Sequence, residues 1–125
     1  MKSLIIAFVI TLLMLNSNCN NKTAKAGTQP TALDSIPVCL KQMIETFNKK
    51  ETENPPIKVD EYEYKGKRVF LFTANCCDQF DMLYDDSCKA LCAPTGGFTG
   101  KGDGKCVDFS TTAKHIKLIW QKSGQ

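Results

Sequence analysis

The sequence predicts an α+β domain in which one N-terminal amphipathic helix packs on a small antiparallel sheet of about four or five strands, held by disulfides. Three observations predict it. Apolar residues recur at spacings of three and four from Ile36 to Phe47, as one helix face requires. From Ile57 the period becomes strand-like, with glycine and aspartate turns between apolar runs. Seven cysteines occur in 125 residues, a density that suits an oxidising compartment, and the length supports one domain.

The N-terminus points the same way. Met1 and Lys2 form a short positive region, and Leu4 to Leu15 (LIIAFVITLLML) is a twelve-residue apolar run. This is the pattern of a signal peptide, too short for a comfortable bilayer span. Residues 1–18 are therefore read as a signal peptide, 19–34 as a flexible tether and 35–122 as one disulfide-rich globular domain. Two processing sites compete: lipoprotein cleavage before Cys19 with lipidation of that cysteine, and ordinary cleavage after Ala24-Lys25-Ala26. Distance from the apolar run favours Cys19, although Leu15-Asn16-Ser17-Asn18 departs from the usual lipidation box. The tether Asn20 to Asp34 is polar and lacks hydrophobic period. Its Asn21-Lys22-Thr23 matches a glycosylation pattern, read here as chance.

Either cleavage leaves six cysteines: Cys39, Cys76, Cys77, Cys88, Cys92 and Cys106. They suffice for three disulfides, and sequence does not choose the pairing. Cys76 and Cys77 are adjacent, so on a strand they would face opposite ways and reach different partners.

Within the domain, Ile36, Cys39, Leu40, Met43, Ile44 and Phe47 form the helix face, with Asp34 or Ser35 as cap and Pro37 in the first turn. Lys49-Lys50 suits the helix C-terminus, and Pro55-Pro56 forbids continuation. A first hairpin joins Ile57–Tyr64 to Val69-Phe70-Leu71-Phe72 through Lys65-Gly66-Lys67. Its second arm is apolar on both faces, which predicts the central strand. A second hairpin joins Met82-Leu83-Tyr84 to Lys89-Ala90-Leu91-Cys92 through Asp85-Asp86-Ser87. A last strand, His115 to Gln121, is expected to turn Ile116, Leu118 and Trp120 inward, with a short helix capped by Ser110 or Thr111 as the rival reading.

Gly96 to Cys106 (GGFTGKGDGKC) holds five of the eight glycines and invites a phosphate-loop reading. It fails. Before Gly100-Lys101 the required glycine position holds Thr95, and Gly102 follows in place of Ser or Thr; Gly104-Lys105 meets Thr99 and Cys106 in the same roles. Two readings remain: a structural loop stapled by Cys92 and Cys106, or a recognition loop with Phe98 as anchor and Lys101, Lys105 and free amides receiving an anion.

Other chemistry is thinly supported. The acidic residues Asp78, Asp81, Asp85 and Asp86 fit no EF-hand register, and turn formation accounts for them. Cys88 and Cys92 with the single histidine, His115, make a poor zinc set beside disulfides. Nothing near His115 in sequence marks a nucleophile, and no C-x-x-C occurs. No catalytic residue, metal or cofactor is assigned. The formal net charge of +3 is too small and dispersed for nucleic acid.

The segments IPVCLKQMIETF, VDEYEYKGKRVFLFTANCCDQFDMLYDDSC and CAPTGGFTGKGDGKC together resemble an uncharacterised family of small bacterial exported lipoproteins carrying a domain of unknown function. The resemblance covers Ile36 to Trp120. It implies envelope attachment through an acylated cysteine and a cystine-bridged fold, with no activity to transfer. The expected protein is an exported, lipid-anchored envelope protein, periplasmic or secreted if not anchored. It binds a protein or small-molecule ligand through the glycine loop without catalysis. A secreted hydrolase inhibitor and a thiol-redox protein are the rivals.

Overall fold

A computed structural model describes residues 32–49, 53–76 and 78–124. Cys19 and the segments expected to be a signal peptide and a tether, as far as residue 31, lie outside the described residues, as do Lys50 and Cys77.

Helix α1 spans Val38–Asn48 and buries Leu40 and Ile44, the centre of the face read from sequence. Its start differs from expectation. Pro37 is the N-cap with ψ of 144°, and no side chain caps the helix. Ala32–Ser35 instead forms a 3-10 turn in which Ser35 Oγ donates to the Ala32 carbonyl at 2.8 Å. Proline disfavours helical geometry in the residue before it, so the helix begins only after Pro37. The amides of Leu40 and Lys41 then both donate to the Pro37 carbonyl.

Five strands follow: β1 (Lys58–Tyr64), β2 (Lys67–Thr73), β3 (Phe80–Asp85), β4 (Ala90–Gly96) and β5 (Lys114–Gln121), with a helical turn α2 (Phe109–Thr112) before the last. The sheet is antiparallel in the order β4-β3-β2-β1-β5, so β2 is central, as its two apolar faces require. Lys65 and Gly66 both take positive φ between β1 and β2, the geometry that matches strand twist in a two-residue hairpin. In the second hairpin the Asp85 carboxylate receives the amides of Ser87 and Lys89, each at 2.9 Å. This is a turn-forming use of an acidic residue.

The two faces of the sheet carry separate cores. Ile36, Leu40, Ile44, Val59, Phe70, Phe72 and Ile119 pack beneath α1. Tyr64, Val69, Leu71, Leu83, Cys92 and Phe109 pack on the opposite face. The Cys39–Cys88 disulfide ties α1 to the turn between β3 and β4. Arg68 closes a fork on Glu61 at 2.7 and 2.9 Å and also donates to the Ser35 carbonyl, fastening the turn before α1 to the sheet. The Arg68 guanidinium holds the Glu61 carboxyl below its usual range, with Lys117 adding to the effect.

The strand at 114–121 forms as expected, but its inward residues do not follow simple alternation. Ile116 and Leu118 are each 44% exposed, while Ile119 is buried and Trp120 packs against the α1-side core. The β1–β5 register shifts twice, between Val59 and Asp60 and between Glu61 and Tyr62. Each shift inserts an extra residue, which resets the face of those that follow.

Candidate functional site

The glycine stretch leaves the end of β4 and doubles back beside it. Lys101 pairs with Gly96 in a parallel bridge, and the amides of Gly102 and Asp103 donate to the carbonyls of Gly96 (3.0 Å) and Ala93 (2.8 Å). The Gly100 amide donates to Gly97 O at 2.9 Å, closing a tight turn with Phe98 and Thr99 at its tip. All five glycines have φ between 69° and 79°. Glycine is indispensable at two of them, because a Cβ on Gly96 or Gly102 would collide with the carbonyl oxygen of Gln79 or Ala93. The Cys92–Cys106 disulfide staples the ends of the loop, as the sequence allowed.

Among the described residues Cys39, Cys88, Cys92 and Cys106 pair with one another. Those four are therefore not the separate partners expected for Cys76, and the expectation for Cys77 lies outside the described residues. Cys76 lies exposed beyond the end of β2, where strand alternation no longer sets the direction of side chains. Two such bridges fit an oxidising, extracellular or envelope compartment. No helix of the described residues is long and apolar enough to cross a membrane.

The three candidate contact residues are divided between opposite ends of the sheet. Phe98, 97% exposed, and Lys101 sit where β4 ends. There the ring of Phe80 lies against Gly97 and lines an apolar groove of about 230 Å³ with Phe47, Phe72, Met82 and Tyr84. Burial pushes the Tyr84 phenol up. Lys105 lies at the other end, where it lines a groove of about 250 Å³ with Leu91, Lys65 and Lys67. Leu91 and Gly96 are five residues apart on β4, about 16 Å at the usual strand rise. A small molecule therefore reaches one end or the other.

A latch holds the Lys105 end. Tyr64 Oη donates to Asp108 Oδ1 at 2.5 Å, and Lys65 Nζ lies 3.1 Å from Oδ2. The Tyr64 hydrogen bond and then Lys65 hold the Asp108 carboxyl below the usual range. The Asp103 carboxyl is likewise held low, chiefly because the Lys105 amide donates to it at 3.0 Å.

A further pair was not foreseen. His115 Nε2 lies 3.0 Å from Oδ1 of the buried Asp60, and Lys58 Nζ lies 3.0 Å from Oδ2. The Tyr62 ring meets the imidazole edge-on at 5.0 Å, and its phenol is pushed up by burial and by the Asp60 charge. A carboxylate so placed orients an imidazole, yet no hydroxyl or thiol among the described residues completes a nucleophilic set. The members lie 55 positions apart. The one sequence signal was an acidic residue, Asp60, at a strand position that faces the second core. The other carboxylates serve the fold: Asp81 accepts from the Ala74 amide and the Thr95 hydroxyl, each at 2.7 Å.

Comparison with known families matches residues 45–122 to a domain of unknown function, DUF6970. The chain belongs to the DUF6970 family. The match starts within α1 and ends just past β5, so the DUF6970 domain takes in the whole sheet, both hairpins and the glycine loop. Neither a curated protein nor a solved structure matches the chain.

Proposed function

We propose that this DUF6970 protein is an exported, non-enzymatic binding module, lipid-anchored to the cell envelope through Cys19, whose glycine loop presents Phe98 to a protein partner. The observation that carries the reading is the contrast at the loop tip. The backbone is fixed by hydrogen bonds and a disulfide, while the Phe98 ring is almost wholly in water. A rigid loop loses little entropy on binding, and the exposed Phe98 ring, with the half-exposed Phe80 ring lying against the neighbouring Gly97, gives a partner apolar area to cover. Lys101 adds a cation on the same turn. The signal-like leader and the two disulfides support export; Cys19 supplies the attachment point.

A hydrolase inhibitor would also present a disulfide-framed loop. Here the tip is a closed turn, Gly97 O to Gly100 N–H, and not the extended chain that a protease cleft accepts. The test is proximity cross-linking in intact cells of the source bacterium, comparing wild type with Phe98→Ala and Lys101→Ala. We expect one partner to be captured by wild type and its capture to fall about thirtyfold with Phe98→Ala, the size of a hot-spot loss of about 2 kcal/mol. If every captured protein is indifferent to both substitutions, the glycine loop is not the contact. Intact mass of envelope-isolated protein would report the acyl group; an unacylated chain beginning at Gly27 overturns the anchor.

A further inference from the structure

The groove at the Lys105 end is distinct from the Phe98 tip and stands independently of the reading given for it. Three segments far apart in sequence build it: Tyr64 to Val69 from the first hairpin, Leu91 from β4, and Lys105 with Cys106 from the end of the glycine loop. The Cys92–Cys106 bridge fixes one wall, and the Tyr64–Asp108–Lys65 latch fixes the other against it. The floor is apolar, with Leu91 39% exposed in its opening.

The charges on the rim are unequal. Asp108 has both oxygens engaged by Tyr64 and Lys65, and Asp103 turns back onto the amide and ammonium of Lys105. Lys67, exposed on the same rim, meets no carboxylate among the described residues. Lys65 and Lys105 are thus each shared with one carboxylate and Lys67 with none, which leaves one net positive charge on the rim of an apolar floor. Nucleic acid is disfavoured, because the one aromatic ring in the lining, Tyr64, is buried and offers no stacking face.

We propose that this groove binds an acidic peptide segment of a partner protein, seating an apolar side chain against Leu91 while a flanking carboxylate meets Lys67, beside the already paired Lys105 and Lys65. Charge complementarity selects the sign of the partner, and the exposed leucine selects against a bare anion.

The probe is a fluorescein-labelled peptide of alternating glutamate and leucine, followed by anisotropy against the folded, oxidised protein. Saturable binding is expected at low ionic strength, weakening as salt is raised. Lys67→Glu with Lys105→Glu should weaken it by about tenfold or more, and Leu91→Ser by a smaller factor, with Phe98→Ala unchanged. These side chains are exposed, and circular dichroism of each variant confirms that the fold persists. Inorganic phosphate and vesicles containing phosphatidylglycerol are run as competitors. Three results would each overturn the proposal: no saturable peptide binding, indifference to charge reversal, or Leu91→Ser binding equal to wild type with full displacement by phosphate or vesicles.

Discussion

On one face of the sheet α1 lays Leu40 and Ile44 over Phe70 and Phe72, whereas on the other a glycine-rich loop and one helical turn cover Leu71, Leu83 and Cys92 with Phe109 and a disulfide. The first cover is built from side chains at helical spacing. The second relies on main-chain hydrogen bonds, positive φ and a covalent staple. A domain this small buries a limited core, and a loop with little apolar area can close a face only if its backbone is ordered by other means.

The contrast can be broken from either side. The largest effect is expected on the helix side, where Leu40→Ala removes a fully buried side chain and should lower unfolding stability by about 2–5 kcal/mol in urea titration. A smaller loss would mean that α1 is not the main cover of its face. On the loop side, Gly104→Ala meets open space and should cost about 1–2 kcal/mol from its positive φ alone. Gly102→Ala adds a collision with the Ala93 carbonyl and should cost about 3 kcal/mol, with faster amide exchange confined to the loop. Equal costs for the two would show that the loop is not pressed onto β4.

The smallest effect sharpens the comparison through pH. Glu61 titrates below its usual value because of Arg68, so its contribution is present above the unfolded-state pKa and lost as pH falls through the lower folded-state value. Stability should therefore decline from about pH 4 downward, near and below the ordinary glutamate pKa. Glu61→Gln should flatten part of that decline. Asp108, held low by Tyr64 and Lys65, obeys the same sign on the loop side, and Asp108→Asn should flatten another part. If neither substitution changes the acid limb in pH-dependent unfolding, the carboxylate pairs contribute nothing measurable.

What the sequence disclosed follows the same division. Helix α1 was legible because burial repeats every three or four residues, and β2 was legible as the central strand because four successive residues, Val69 to Phe72, are apolar. The hairpin turns were legible from Lys65-Gly66 and Asp85, whose local geometry needs no distant partner. The inward face of β5 was misread because two register shifts against β1 leave no mark in its own sequence. Nor did sequence show that Phe98 and Lys105 part company, since seven residues of loop can fold back or run on. The meeting of Asp60 with His115 depended on the pairing of β1 with β5, which no local pattern encodes.

The return of residues 101–103 along β4 also determines how this domain can associate with copies of itself. With Asp103 N–H already on Ala93 O and Lys101 beside Gly96, that margin of the sheet offers an incoming strand few vacant acceptors, while β5 forms the other margin among the described residues. An edge partly occupied by its own chain is a poor template for an incoming strand, so lateral pairing between copies is disfavoured along that part of β4.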